Sequence, residues 1–284
     1  QWDFAPYDAI VSSGHCVAKG VDAKGKPHLT YCHTPMRYIW DRFDDYFPRS
    51  KPLRRAAMLS IAPWLRRWDV KTAAEVTRFV ANSAFVRDRI RRYYDRDAEI
   101  VHPFVDDGFL EAPLAQDRDD YHLVASALVP YKRIDLAIAA AVASGRRLVV
   151  IGGGPLLEEF RARSGKDVEL LGSVSREVVI ERMARARSLI LPGVEDFGIT
   201  PLEAMALGTP VVALGEGGVL DSVIDGQTGI FFDRPEVDSL RRALDTVEAR
   251  SWDREHLRAH ARTFSRARFD ERFSAQLAAL NSQE

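Results

Sequence analysis

The stretch GVEDFGITPLEAMALGTPVVA, residues 193–213, decides how this chain is read. An apolar run, SLIL (188–191), leads into it as a strand would, and another, PVVAL (210–214), leaves it. Between them Glu195 and Glu203 bracket a loop in which Gly198 permits close backbone approach to a ligand. Thr200 and Pro201 have the chemistry of the N-cap and first residue of a helix. Unpaired amides and the positive end of that helix dipole then face a diphosphate. Glu203, at the third helical position, has two readings: it closes a capping box with Thr200, or its carboxylate binds a ligand.

Outward from this stretch, short β-branched runs alternate with amphipathic segments, the pattern of parallel sheets covered by helices. The chain is therefore expected to be α/β. Strands are expected at DAIVS (8–12), HLTYC (28–32), RFVAN (78–82) and AEIVH (98–102). A second group follows at YHLVAS (121–126), RLVVIG (147–152), VELLG (168–172), SLIL, PVVAL and GIFF (229–232). The 284 residues exceed what one core usually fills, so two lobes are expected. Their boundary is placed near Pro103, with residues 1–103 and 104–263 as the lobes and DDGFLEAPLAQDRDD (106–120) as a polar connection.

A net charge of −1 argues against a dedicated nucleic-acid binder. Cys16 and Cys32, each in an apolar run, are expected to be reduced packing residues. His256 and His260 have helical spacing but no evident third ligand, so a solvated helix face is expected rather than a metal site. No long apolar span and no leader-like start appears, which points to a cytoplasmic protein.

The EDFGITPLEAMALGTPVVA segment resembles the signature of the family 4 retaining glycosyltransferases, whose GT-B fold has two facing Rossmann-like domains. The resemblance implies that Glu195 contacts donor-sugar hydroxyls, that Glu203 binds the ribose, and that the amides of Phe197, Gly198, Ile199 and Thr200 meet sugar and phosphate. It extends to SALVPYKRIDLAI (126–138), where the family carries a lysine and, five residues earlier, an arginine that clasp the diphosphate. Here Lys132 is present, Ala127 replaces the arginine, and Arg133 is a partial substitute; the alternative for the two cations is a solvated helix start. In IGGGPLLEEF (151–160), Gly153 and Gly154 lie beside the nucleotide in the family, although such a run also serves turn geometry alone. Backbone at Ser173 and Val174, in LLGSVS, is expected beside the base, and Gly217 and Gly218 serve a turn as much as a ligand.

In the first lobe, HLTYCHTPMRYIWD (28–41) places His33 at the end of a strand. A lone histidine there is commonly a satisfied loop residue, whereas the resemblance assigns it contact with the donor sugar in the interdomain cleft. Arg37 and Tyr38 are then expected on the acceptor side, with Ser12, Ser13 and His15 bordering the cleft.

Family members carry further strand–helix units before a segment like DFAPYDAIVSSGH. A naturally short enzyme, a fragment and a chain completed by another subunit all remain open. The helix FSRARFDERFSAQLAALNSQE (264–284) is expected to cross back to this truncated first domain. An exposed sheet edge makes a homo-oligomer plausible. From Phe47 to Trp68 the chain carries Arg49, Lys51, Arg54, Arg55, Arg66 and Arg67 and no acidic residue, among Leu, Ile, Met and Trp. Either a solvated helix packs its apolar side on the domain, which is the favoured reading, or the segment touches an anionic membrane surface.

The expected activity is metal-independent, retaining transfer of a hexose, mannose favoured, from a nucleotide diphosphate sugar to a sugar or lipid-linked acceptor, with no cofactor. A GT-B epimerase or phosphorylase, or a non-catalytic donor-binding or scaffold subunit, are the alternatives.

Overall fold

The computed structural model describes residues 3–281, and they form two compact units, residues 3–102 with 269–281, and Pro103–Arg268. Unit 1 runs β1 (Ile10–Gly14), β2 (His28–Cys32), α1 (Phe43–Tyr46), α2 (Pro52–Ala74), β3 (Arg78–Ala81), α3 (Ala84–Tyr94) and β4 (Ala98–Ile100). Its four strands pair in parallel in the order β1-β2-β3-β4. The Ser83 hydroxyl starts α3 by accepting the Val86 amide at 3.0 Å.

Unit 2 begins with α4 (Asp107–Glu111) and continues β5 (His122–Ala125), α5 (Ile134–Ser144), β6 (Leu148–Ile151), α6 (Leu157–Arg163), β7 (Val168–Gly172) and α7 (Arg176–Arg185). It then runs β8 (Leu189–Leu191), α8 (Ile199–Ala206), β9 (Val211–Leu214), β10 (Gly229–Phe232), α9 (Val237–Glu248) and α10 (Arg254–Arg262). The last helix, α11 (Arg266–Asn281), starts in unit 2 and ends in unit 1, where Phe269, Phe273 and Leu277 pack with Leu29, Tyr31 and Val80.

The second sheet is parallel throughout, in the order β10-β9-β8-β5-β6-β7. Its strands are apolar on both faces: Leu123, Val149, Ile151, Leu189 and Val211 enter one core, while Val124, Leu148, Val150, Ile190 and Val212 enter the other. That alternation is the two-residue period of a strand covered by helices on both sides.

Three sequence expectations change here. The 106–120 stretch is not a polar connection: Asp106 accepts the Gly108 amide to cap α4, and Phe109 and Leu110 are buried in the core of unit 2. Thr200 and Pro201 are not the N-cap and first residue of α8. The N-cap is Gly198, at φ 85°, and Ile199 is the first helical residue, which removes the Thr200–Glu203 capping box. His260 does not lie on a solvated face, since its Nε2 meets the Ser222 carbonyl at 2.7 Å and its ring packs edge-on against Phe264. His256 is exposed, and no group of three or more His, Cys, Asp or Glu residues suited to a metal occurs among the described residues.

Candidate functional site

The strand order of unit 2 contains a reversal. From β5 the chain moves outward through β6 and β7, then returns to lay β8 on the other side of β5. In open parallel sheets a crevice forms outside the carboxyl ends of the two strands at such a switch point, and ligands bind there. Here the carboxyl ends of β5 and β8 lead directly into the Lys132 and Glu195 loops.

Glycines hold these loops together. A Cβ at Gly193 would lie 2.6 Å from the Tyr131 carbonyl oxygen and 2.9 Å from the Lys132 Cα, so only glycine permits this approach. Lys132 Nζ donates to Glu195 Oε1, and the two side chains retain 18% and 12% of their exposure. The loop after β9 supports the same carboxylate residue, with the Gly218 amide donating to the Glu195 carbonyl at 2.8 Å. A Cβ at Gly218 would sit 2.0 Å from the Asp196 carbonyl oxygen, and at Gly217 one would sit 2.5 Å from that of Glu195. These two glycines therefore shape the Glu195 turn.

The run Gly152–Gly154 has a comparable structural duty. Gly152 and Gly154 have φ of 136° and 154°, and added Cβ atoms would lie 1.9 Å from the Ser126 oxygen and 2.5 Å from the Leu128 oxygen. Gly153 faces the Ser173 hydroxyl, at 2.8 Å from its virtual Cβ. Ser173 is exposed at the end of β7, and half-buried Val174 packs on the core. Thus the loops after β5, β6 and β7 form one contiguous rim.

Arg133 occupies the left-handed region at φ 54° as the N-cap of α5, and its guanidinium pairs with Asp135 at 3.2 Å. Phe197 is buried in the core and touches Phe264, while Ile199 and Thr200 sit in the first turn of α8, where helical amides have no partner within the helix. Glu203 is half-buried one turn further on. Burial pushes its carboxyl up to about 7, Asp106 adds to the rise, and the Arg176 guanidinium opposes it. Arg176, which pairs with Asp106, was not singled out from the sequence; its place at the head of α7, just after LLGSVS, is the only local signal for it.

At the other end of this sheet, a cavity of about 540 Å³ is lined by His122, Arg146, Arg187 and Glu248. Two of its cations are engaged: Arg146 holds Asp245 and Glu248, and Arg187 holds Asp120. Hydrogen bonds from His122 and Arg146 keep the Glu248 carboxyl well below the usual range, consistent with a structural clamp between β5 and α9.

In unit 1, His33 follows the carboxyl end of β2. Its amide donates to the Gly14 carbonyl at 2.9 Å, its Nε2 meets the Ser13 hydroxyl at 2.9 Å, and its carbonyl accepts from Asn82 at 3.1 Å. Ser12 is instead a packing residue, buried and bonded to His28 at 2.8 Å and Thr30 at 2.9 Å. His15 is exposed and Arg37 half-buried. Tyr38 meets Cys16 Sγ at 2.9 Å, and burial together with that contact raises its phenol well above the usual value. Both cysteines are free thiols, Cys32 buried and Cys16 half-buried.

The model of the family described as glycosyl transferases group 1 matches residues 109–264, more than half of the chain, and that of glycosyltransferase family 4 matches residues 4–109. The chain belongs to the group 1 glycosyltransferases. This glycosyltransferase-family chain is 34% identical over 207 residues to the GDP-mannose-dependent alpha-(1-6)-phosphatidylinositol monomannoside mannosyltransferase of Mycolicibacterium smegmatis, covering 62% of this chain and 53% of that protein. It is 32% identical over 219 residues to the alpha-D-kanosaminyltransferase of Streptomyces kanamyceticus, covering 67% and 56%. The glycosyltransferase-family chain thus spans about half the length of these curated relatives. Its fold resembles sucrose-phosphate synthase from Thermosynechococcus elongatus, with TM-score 0.76, 16% identity and coverage of 98% of this chain and 75% of the other. Anabaena HepE, solved with UDP-glucose, gives TM-score 0.73 at 17% identity, with coverage of 97% and 80%. These likenesses show the GT-B class with two Rossmann-like domains.

Proposed function

We propose that this chain transfers a hexose from a nucleotide diphosphate sugar to a sugar or lipid-linked acceptor, with retention at the anomeric carbon and without a resident metal or cofactor. The observation that carries the proposal is the meeting of Lys132 and Glu195 at the β5/β8 switch point, beside the first turn of α8. Mannose is the favoured sugar because a mannosyltransferase is among the relatives.

In this reading the donor diphosphate displaces Glu195 from Lys132. Lys132 and the α8 amides then stabilise the departing nucleoside diphosphate, a preorganised electrostatic contribution made without moving protein charge during the reaction. Glu195, released from the ion pair, accepts hydroxyls of the donor sugar, and Glu203 accepts the two ribose hydroxyls. The bond from anomeric carbon to diphosphate oxygen breaks, the bond to the acceptor oxygen forms on the same face, and the acceptor proton is released. Arg133 contributes at longer range, the backbone of Ser173 and Val174 borders the base, and Gly153 and Gly154 keep the rim low enough for the nucleotide. His33 keeps the donor-sugar role that the resemblance gives it, and His15, Arg37 and Tyr38 an acceptor-side role.

The test is nucleotide release by the purified chain from GDP-mannose, UDP-glucose and ADP-glucose, with and without a panel of sugar and lipid acceptors. Acceptor-dependent release that falls at least about a hundredfold in Glu195→Ala is expected, the loss of an interaction with a developing charge. Release that Glu195→Ala leaves unchanged contradicts the site. Nucleotide binding without release to any acceptor favours the donor-binding subunit instead.

A further inference from the structure

The first half of α2 is unusual for a helix facing water. Residues 56–65, AAMLSIAPWL, carry no charge, yet most of them are exposed. Leu53 keeps 87% of its exposure, Trp64 63%, Leu59 53% and Ile61 47%. The favoured sequence expectation, an apolar side packed on the domain, is therefore wrong for this half. The reason lies in where α2 is fastened. Its buried side is concentrated in the second half, where Asp69 pairs with Lys19 at 2.5 Å and accepts from Trp40 at 2.8 Å and Tyr94 at 2.9 Å. Among the residues before this anchor only Ala62 is buried, so the side chains of the first turns extend outward.

The charged residues of the segment from Phe47 to Trp68 are all cations, and Asp44 of α1 reaches them from outside it. Arg55 is paired with Asp44, and Arg66 donates to the Ile39 carbonyl at 2.7 Å. Arg49, Lys51, Arg54 and Arg67 are exposed at its two ends, with no acidic residue between Phe47 and Trp68. Apolar side chains rimmed by cations on a chain of net charge −1 are complementary to an anionic interface. A second copy seated face to face would bring the same cations together, which opposes that occupant. The helix cannot cross a bilayer: no helix among the described residues is long and apolar enough, and Pro63 interrupts the hydrogen-bond ladder.

We propose that α2 docks the chain on an anionic lipid surface. Leu53, Ile61 and Trp64, which fall within about 80° of one another round the helix, sit at the boundary between headgroups and acyl chains, and Arg49, Lys51, Arg54 and Arg67 meet lipid phosphates. This goes beyond the transfer reading and does not rest on it, because the contact needs neither donor nor acceptor.

Co-sedimentation tests it, with vesicles of phosphatidylcholine and of phosphatidylcholine mixed with phosphatidylglycerol. The wild-type chain is expected to sediment with the mixed vesicles, to stay in solution with phosphatidylcholine alone, and to lose binding as salt rises. Leu53→Ser with Trp64→Ser should weaken binding at least about tenfold. Arg54→Glu with Arg67→Glu should weaken it at least about twentyfold, since each cation near such a surface contributes about fivefold. Circular dichroism establishes that both double variants fold, as expected for exposed positions. No sedimentation with mixed vesicles overturns the proposal, as does sedimentation that neither double variant changes. A stable dimer that Leu53→Ser with Trp64→Ser dissolves also overturns it, by assigning the face to a second copy.

Discussion

Burial on α8 holds the Glu203 carboxyl up at about 7, against its ordinary 4.5, with Arg176 on α7 opposing the rise and Asp106, the N-cap of α4, adding to it. Because the folded form binds this proton more tightly than the unfolded chain, its contribution to stability is greatest at low pH and is lost as pH rises from about 4.5 to about 7. The size of that loss is about 3 kcal/mol. Glu203→Gln, which removes the buried charge while keeping the shape, should therefore raise stability by about 1–3 kcal/mol at pH 8 and change it little at pH 4, measured by urea unfolding. The same variant should weaken nucleotide binding, and in the wild type that binding should strengthen as pH rises through 7 and the carboxylate becomes available to the ribose. Equal stability changes at both pH values would show that Glu203 is not titrating in this range. Sequence alone offered two readings of Glu203. The capping reading fell because Gly198, not Thr200, begins the helix, and the carboxyl's environment comes from α4 and α7, distant in the chain.

The misplaced start of α8 has a physical reason at the scale of the element. The first four amides of a helix have no partner within it, so proline is compatible with the third position as well as the first. Thr200-Pro201 thus fits either start, and the left-handed backbone at Gly198 decides. Strand positions, by contrast, were legible to within two residues, because each strand is a short apolar run closed by turn residues. What no run revealed was how tightly the connecting loops meet. Gly193→Ala tests that packing: its methyl group would press the Tyr131–Lys132 backbone away from β8. The expected loss is about 1–3 kcal/mol of stability in urea unfolding, accompanied by weaker nucleotide binding. A variant as stable as the wild type and equal in binding would show that the two loops adjust independently.

Over the whole molecule, the alternating strands and helices made the α/β class readable, and the EDFGITPLE and SALVPYKR segments carried the resemblance that specified GT-B. The order β10-β9-β8-β5-β6-β7 was not readable from the runs, since pairing joins strands that are remote in sequence. Yet that order is what turns Lys132 and Glu195, 63 residues apart, into neighbours. Nor did composition expose the anchor at Asp69 that leaves the first half of α2 uncovered, because a buried ion pair looks in sequence like any other charges. The donor site at the β5/β8 switch point is tested most directly by calorimetric titration of GDP, UDP and ADP into the wild-type chain and into Lys132→Ala. Saturable binding of one nucleotide per chain is expected, weakened about tenfold to a hundredfold by the substitution, as loss of a charge-assisted phosphate contact requires. Absence of binding for all three nucleotides, or binding that Lys132→Ala leaves untouched, would contradict the account.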